Sequence, residues 1–261
     1  MYDLPELEAA NDALWAAIAK RLIALGVDGA PDRLTRDGQI ESVWTDPNLL
    51  LAQTCGYPLV TSLGERVRVV ATPRYCAEGC DGAAYRSAVV VRASDPVQDL
   101  ADLRGRRAAL NDLASNSGMN LLRAAIAPLA YGAPFFGAVA ITGAHAASVE
   151  AVVAGEVDVA AIDCITWAHL LRLRPSVTQG LRVLSWTRAT PGLPLITSAT
   201  TDAALLAALR QALTEVAADP ALAVVRTELL LDGFEILPAG AYDDILALER
   251  DAIAQNYPTL A

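Results

Sequence analysis

Short apolar runs alternate with stretches of helical periodicity along this chain, and the alternation starts twice. The first series opens with an amphipathic stretch from Asp12 to Leu25, ended by Gly26, and continues through the runs Leu49–Ala52, Val67–Ala71 and Ala88–Val91. The second begins at Asp95 with the turn Asp102–Arg107 and carries the runs Ala108–Leu110, Val139–Ile141, Val157–Ile162 and Leu181–Ser185. Helical stretches from Ser117, from Ala144 to Ala154 and from Thr166 to Leu173 separate those runs. Such alternation predicts an α/β architecture with largely parallel sheets. The tail supplies one more strand near Leu195–Thr197 and helices at Asp202–Ala218, Pro220–Leu230 and Tyr242–Gln255. A complete second block inside an interrupted first one predicts two lobes, residues 1–92 with 188–261 and an inserted lobe 93–187, with a cleft between them.

Composition narrows the function classes. With 261 residues, 54% of them hydrophobic, the chain can bury a large core. The formal net charge of −10, with Lys20 the only lysine, argues against nucleic-acid or anionic-membrane partners. The N-terminus has no basic segment followed by an apolar one, and no apolar span is long enough to insert in a bilayer. As written, the chain is expected to be cytoplasmic, or periplasmic if translation starts upstream. Four cysteines (Cys55, Cys76, Cys80, Cys164) and two histidines (His145, His169) form no metal-ligand spacing, so neither a metal nor a cofactor is expected. Cys76 and Cys80 would be close enough in sequence to bridge in an exported protein; four isolated, mostly buried thiols is the expectation.

The segment Leu110-Asn111-Asp112-Leu113-Ala114-Ser115-Asn116-Ser117-Gly118-Met119-Asn120 reads as a strand end, a tight polar turn and a helix start near Ser117. A helix start has N–H groups without intrahelical partners and the positive end of the dipole, which favour an anion. Ser115, Asn116 and Ser117 add short donors, and Gly118 admits a ligand close to the backbone. The same residues are also ordinary helix caps. Four charge-assisted bonds at about 1.5–3 kcal/mol each give roughly 6–12 kcal/mol gross. Lost ligand freedom costs at least about 4 kcal/mol, and micromolar binding needs about 8 kcal/mol net. The turn alone would bind weakly, so other groups must complete the site.

In open parallel sheets ligands sit at the carboxyl ends of strands. The residues there are Thr54, Cys55 and Tyr57, then Ser115 to Gly118, Thr142, Gly143 and His145, and Asp163, Cys164 and Thr166, with Tyr85 nearby. His145 is placed to give an anion a hydrogen bond or a positive charge, or to act as a cap. Asp163 could accept from a ligand amine or cap the next helix. Tyr57 and Tyr85 could close a lid, bond a ligand or pack. Trp44, Trp167 and Trp186 read as core or lobe-interface residues rather than stacking platforms.

Several segments together resemble the phosphate/phosphonate substrate-binding components of ABC transporters. They are Leu50-Leu51-Ala52-Gln53-Thr54-Cys55-Gly56-Tyr57-Pro58-Leu59, Tyr85-Arg86-Ser87, Asp102-Leu103-Arg104-Gly105, Asn111-Asp112 with Ser115-Asn116-Ser117-Gly118, Thr142-Gly143-Ala144-His145 and Ala161-Ile162-Asp163-Cys164. The resemblance implies the two-lobed type II periplasmic-binding-protein fold, each lobe a mostly parallel sheet flanked by helices. It implies that the serine turn holds phosphate or phosphonate oxygens, that Tyr57 closes from the other lobe and that His145 adds a contact. An ABC transporter permease is the partner it implies for an exported form.

Three functional readings follow. The first is non-enzymatic binding of phosphate, phosphite or an organophosphonate by lobe closure. The second is an enzyme of lyase or pyrimidine-forming type on the same fold, using Asp163, His145 and Cys164 or Cys55. The third is a binder of a phosphate-free organic ligand such as a thiamine precursor.

Overall fold

The computed structural model describes residues 2–261. Their strands are β1 (Ala52–Gln53), β2 (Val67–Tyr75), β3 (Ala84–Tyr85), β4 (Ser87–Arg92), β5 (Arg107–Leu110), β6 (Ala138–Ile141), β7 (Val159–Asp163), β8 (Leu181–Trp186), β9 (Thr190–Pro191), β10 (Leu195–Ser198) and β11 (Leu231–Glu235). No helix among the described residues is long and apolar enough to cross a membrane.

The chain packs as two units. One comprises the residues up to Cys76 with 81–83 and 191–239, the other residues 77–80, 84–190 and 240–261. The sequence placed the boundaries at 92 and 188 and gave the whole tail to the first unit. Burial explains the difference. Residues 87–91 are completely buried where β4 lies between β7 and β8. The tail helix Asp243–Ala254 and Tyr257 put Ala252 and the tyrosine ring into one cluster with Leu122 and Ile126.

In the first unit the sheet order is β1-β10-β2-β11, and every neighbouring pair is antiparallel. This corrects the expectation of a mostly parallel sheet. β10 and β11 both come from the tail and run back against the long β2, which no strand-helix-strand crossover would have produced. Helices Glu8–Ala24 and Ala203–Ala218 supply Trp15, Ile18, Leu22, Leu209, Leu213 and Val216 to a core shared with Val70. The single helix expected over Pro220–Leu230 is a 3-10 turn, Pro220–Leu222, and a short helix, Ala223–Glu228. The missed β11 follows it, its register shifted between Leu231 and Gly233, where Gly233 has φ +148°.

The second unit's sheet has the order β6-β5-β7-β4-β8 and is mixed rather than mostly parallel. β5 runs parallel to β6 and β7, whereas β4 is antiparallel to β7 and β8. The parallel part is the one in which a helix joins consecutive strands, Leu121–Ala130 after β5 and His145–Val153 after β6. Alternate residues of the central strands feed two cores. Val89, Val91, Val159 and Ala161 face Leu122, Ile126 and Phe135; Ala88, Val90, Ala160 and Ile162 face Val149, Val152 and Trp167. Burial on both faces is why these strands read as unbroken apolar runs.

Not all four cysteines are isolated thiols as expected. Cys55 and Cys164 are buried, Cys76 is exposed, and Cys80 contacts Cys164 rather than Cys76.

Candidate functional site

Parallel pairing brings the serine turn and His145 together. Leu110 at the end of β5 is in register with Ile141 at the end of β6. The ladder continues past both strands, with Thr142 N–H donating to the Leu110 carbonyl and Gly143 N–H to the Asn111 carbonyl, at 2.9 and 3.0 Å. The two chains therefore leave the sheet at one level, as adjacent parallel strands do. One leads to Ser115, the other to His145.

Each residue of the turn has a separate task. Ser115 is the N-cap, with φ −79° and ψ 128°, and its Oγ accepts from Gly118 N–H at 2.9 Å. The helix thus begins at Asn116, one residue before Ser117, near which it was expected. Its first turn, Asn116–Asn120, is wide and of π type before α geometry sets in at Leu121.

Asn116 turns inward and is fully buried. Its Nδ2 donates to Tyr85 Oη and Thr190 Oγ1, both at 3.0 Å, and its Oδ1 accepts from Asn120 Nδ2 at 3.0 Å. Both amide protons are thereby committed, so its side chain buckles the turn rather than donating to an anion. Tyr85, 1% exposed, is a partner in that buckle and not a lid. Asn120 extends the chain of bonds through Arg123 Nη2, 2.7 Å from Asn120 Oδ1, into the buried arginine's ion pair with Glu249.

Ser117 Oγ lies 2.9 Å from His145 Nε2 and 3.5 Å from Ser115 Oγ. Its carbonyl accepts from Ser87 Oγ at 2.9 Å, and Ser87 N–H in turn donates to Thr187 Oγ1 at 2.9 Å. Gly118 lies tight against the Asn111 and His145 side chains. A Cβ there would stand 1.9 Å from Asn111 Oδ1 and 3.2 Å from His145 Cε1. Asn111 Oδ1 is itself buried with no hydrogen-bond partner among the described residues.

His145 opens the helix His145–Val153, and burial pushes its pKa down to about 4, against the opposing pull of the Ala161 backbone. Desolvation thus favours the neutral imidazole over the charged one in the ligand-free chain. Asp163 Oδ1 accepts from the N–H groups of Ile165 and Thr166 at 2.8 and 3.0 Å. Of its two expected tasks the structure shows the capping one; the carboxylate is 2% exposed. Tyr57 belongs to the first unit, where it is half-buried in the helical turn Gly56–Pro58.

The site residues of the second unit therefore divide. Ser115, Ser117, Gly118 and His145 converge on a helix start; Tyr85, Asn116 and Asp163 hold that region in shape. Sequence reasoning missed Ser87, Asn120 and Thr190 as supports, and only Ser87, beside Tyr85 at a strand start, carried any signal. Among the described residues no group of three or more His, Cys, Asp or Glu could hold a metal. Hydroxyls, free N–H groups and a neutral imidazole can hydrogen-bond an oxyanion without a counter-charge.

The family described as the periplasmic substrate-binding protein of phosphonate ABC transporters matches residues 48–242. A search of curated proteins found no match. Solved structures similar to the chain include PhnD1 from Prochlorococcus marinus in complex with methylphosphonate, at TM-score 0.73 and 16% identity over 93% of each chain. A binding-protein component of an ABC phosphonate transporter from Pseudomonas aeruginosa gives TM-score 0.72 at 16% identity, covering 94% of this chain and 82% of that one. A Xanthomonas citri protein bound to ATP gives TM-score 0.70 at 16% identity over 95% of each. At such identities the likeness shows the fold, that of the two-lobed periplasmic binding proteins. The matching family is one of substrate-binding components, which does not favour the lyase and pyrimidine-forming reading. With three quarters of its length matched, the chain belongs to the family of substrate-binding proteins of phosphonate ABC transporters.

Proposed function

We propose that the second unit binds a small phosphorus oxyanion, phosphate, phosphite or an alkylphosphonate, on the turn Ser115–Gly118. The observation that carries this reading is the contact of Ser117 Oγ with the neutral His145 Nε2 at 2.9 Å, at the start of a helix. A serine hydroxyl has one proton. When the imidazole holds its proton on Nε2 and donates it to Ser117 Oγ, the serine is left to donate its own proton to a ligand oxygen. The helix start supplies N–H groups and the positive end of its dipole to the same ligand. His145 thereby positions the serine as a donor instead of pairing with the anion by charge.

The reading extends to a role in transport. Members of this family serve ABC transporters in the periplasm, and the ligand would be passed to a permease there. One similar protein was seen with methylphosphonate and another with ATP, so the ligand panel runs from methylphosphonate, phosphite and phosphate to ATP, with sulfate as the control anion.

Titration calorimetry of the purified chain against that panel tests the proposal. Binding of one or more phosphorus oxyanions, weakened at least about tenfold by Ser117→Ala, is expected, since a bond to a charged group is worth about 1.5–3 kcal/mol. Binding that is indifferent to Ser117→Ala, or confined to a ligand without phosphorus such as a thiamine precursor, would overturn it.

A further inference from the structure

Cys80 and Cys164 are 84 positions apart, yet their Sγ atoms stand 3.4 Å from each other. Their backbones hold them there. Cys164 is the first residue of the helix Cys164–Leu173, behind the Asp163 cap, and its N–H donates to the Arg86 carbonyl at 3.1 Å. Cys80 closes a turn in which its own N–H donates to the Ala77 carbonyl at 3.0 Å. Gly79, at φ +93°, lets that turn lie directly on its neighbours. A Cβ there would stand 2.7 Å from the Trp186 ring and 3.0 Å from Cys164 Cβ. A side chain at position 79 would lift the turn away and separate the sulfurs.

We propose that Cys80 and Cys164 are a modification site, a dithiol that closes to a disulfide when the protein meets a small disulfide oxidant. A disulfide bond is near 2.05 Å, so the sulfurs need to close by only about 1.4 Å. The partners are unequal, which sets the order of events. Cys164 is fully buried, whereas Cys80 keeps contact with solvent. The hydrogen bond from Cys164 pulls the Cys80 thiol below the ordinary range, while that same contact and burial push Cys164 up. Cys80 is therefore the thiolate that meets the oxidant.

With glutathione disulfide as that oxidant, Cys80 Sγ attacks one of its sulfurs, the glutathione S–S bond breaks, and one glutathione thiolate leaves. Cys164 then gives up its thiol proton to solvent, and its sulfur attacks Cys80 Sγ. The mixed disulfide breaks and the second glutathione thiolate leaves. Two protein thiols are oxidised to one disulfide, and one glutathione disulfide is reduced to two thiols.

The test uses the whole chain, first reduced and freed of reductant, then incubated with excess glutathione disulfide, acid-quenched and alkylated after unfolding. Non-reduced peptide mapping is expected to join the Cys80 and Cys164 peptides. Intact mass should fall by about 2 Da for the two hydrogens lost, and Cys55 and Cys76 should remain open to alkylation. Cys76→Ser should leave the link unchanged. Cys80→Ser, at the less buried partner, should abolish it while the chain stays folded, which keeps the test decisive if a Cys164 variant fails to fold. A link from Cys80 to Cys76, a lasting glutathione adduct on Cys80 with Cys164 still free, or full alkylation of both would each overturn the proposal.

Discussion

Ser117 Oγ and His145 Nε2 lie 2.9 Å apart because their strands are parallel neighbours in register, Leu110 opposite Ile141. The two residues are 28 positions apart in the chain, and a single step across the sheet joins them.

The serine's one proton makes the imidazole tautomer decisive. His145→Ala is expected to weaken methylphosphonate binding, and His145→Gln, whose amide can still donate to Ser117 Oγ, to retain more of it. Calorimetry of the three proteins checks this order; equal affinities would remove His145 from the site.

Burial of His145 also links stability to pH. Its pKa falls from the ordinary 6.5 to about 4 in the folded chain. Between those values the unfolded state binds more protons than the folded one, so stability rises with pH through that window and is lost as pH falls towards 4. His169, pushed by burial to about 4 as well, adds the same sign. Urea unfolding at pH 4.5 and 7 should show a smaller difference in stability for His145→Gln than for the parent chain. With His145 acting as a neutral donor in the complex as well as in the free chain, ligand affinity above about pH 5.5 should not follow the imidazole's charge.

Gly118→Ala forces a Cβ to 1.9 Å from Asn111 Oδ1. Overpacking of this kind costs about 1–3 kcal/mol. Because the closest approach is to the Asn111 side chain, with His145 Cε1 at 3.2 Å, Asn111→Gly in the same protein should recover a large part of that loss. Denaturant midpoints of the single and double variants measure the coupling, and additive losses would contradict the geometry.

Asp163→Ala should lower stability by about 1 kcal/mol through loss of a helix cap, and Asp163→Asn by less. Neither should alter the preference between methylphosphonate and 2-aminoethylphosphonate. A selective loss of the amine-bearing ligand would show that the carboxylate contacts it after all.

The polar turn proposed to bind an anion was legible because its chemistry is local. Ser115 through Gly118 carry the capping hydroxyls and the glycine, and the step from Ile141 through Gly143 to His145 reads as a strand end and a helix start. What could not be read is what each side chain does once neighbours crowd it. Asn116 looks like one more donor between two serines, and only the positions of Tyr85 and Thr190 show that its protons are committed. Tyr85 looks like a lid until β3 buries it. The meeting of Cys80 with Cys164, rather than with the nearer Cys76, has no counterpart in spacing.

By itself the sequence determined the α/β class, the strand and helix order through the inserted block, and the turn at 115–118, since these follow from periodicity and the short-range preferences of serine, asparagine and glycine. Only tertiary structure decided that the first unit's sheet is antiparallel and the second's mixed, and that β4 and the tail helix Asp243–Ala254 belong to the second unit. The burial that lowers the pKa of His145 was decided there too. Strand direction and proton affinity depend on what is packed alongside, and those neighbours come from distant parts of the chain.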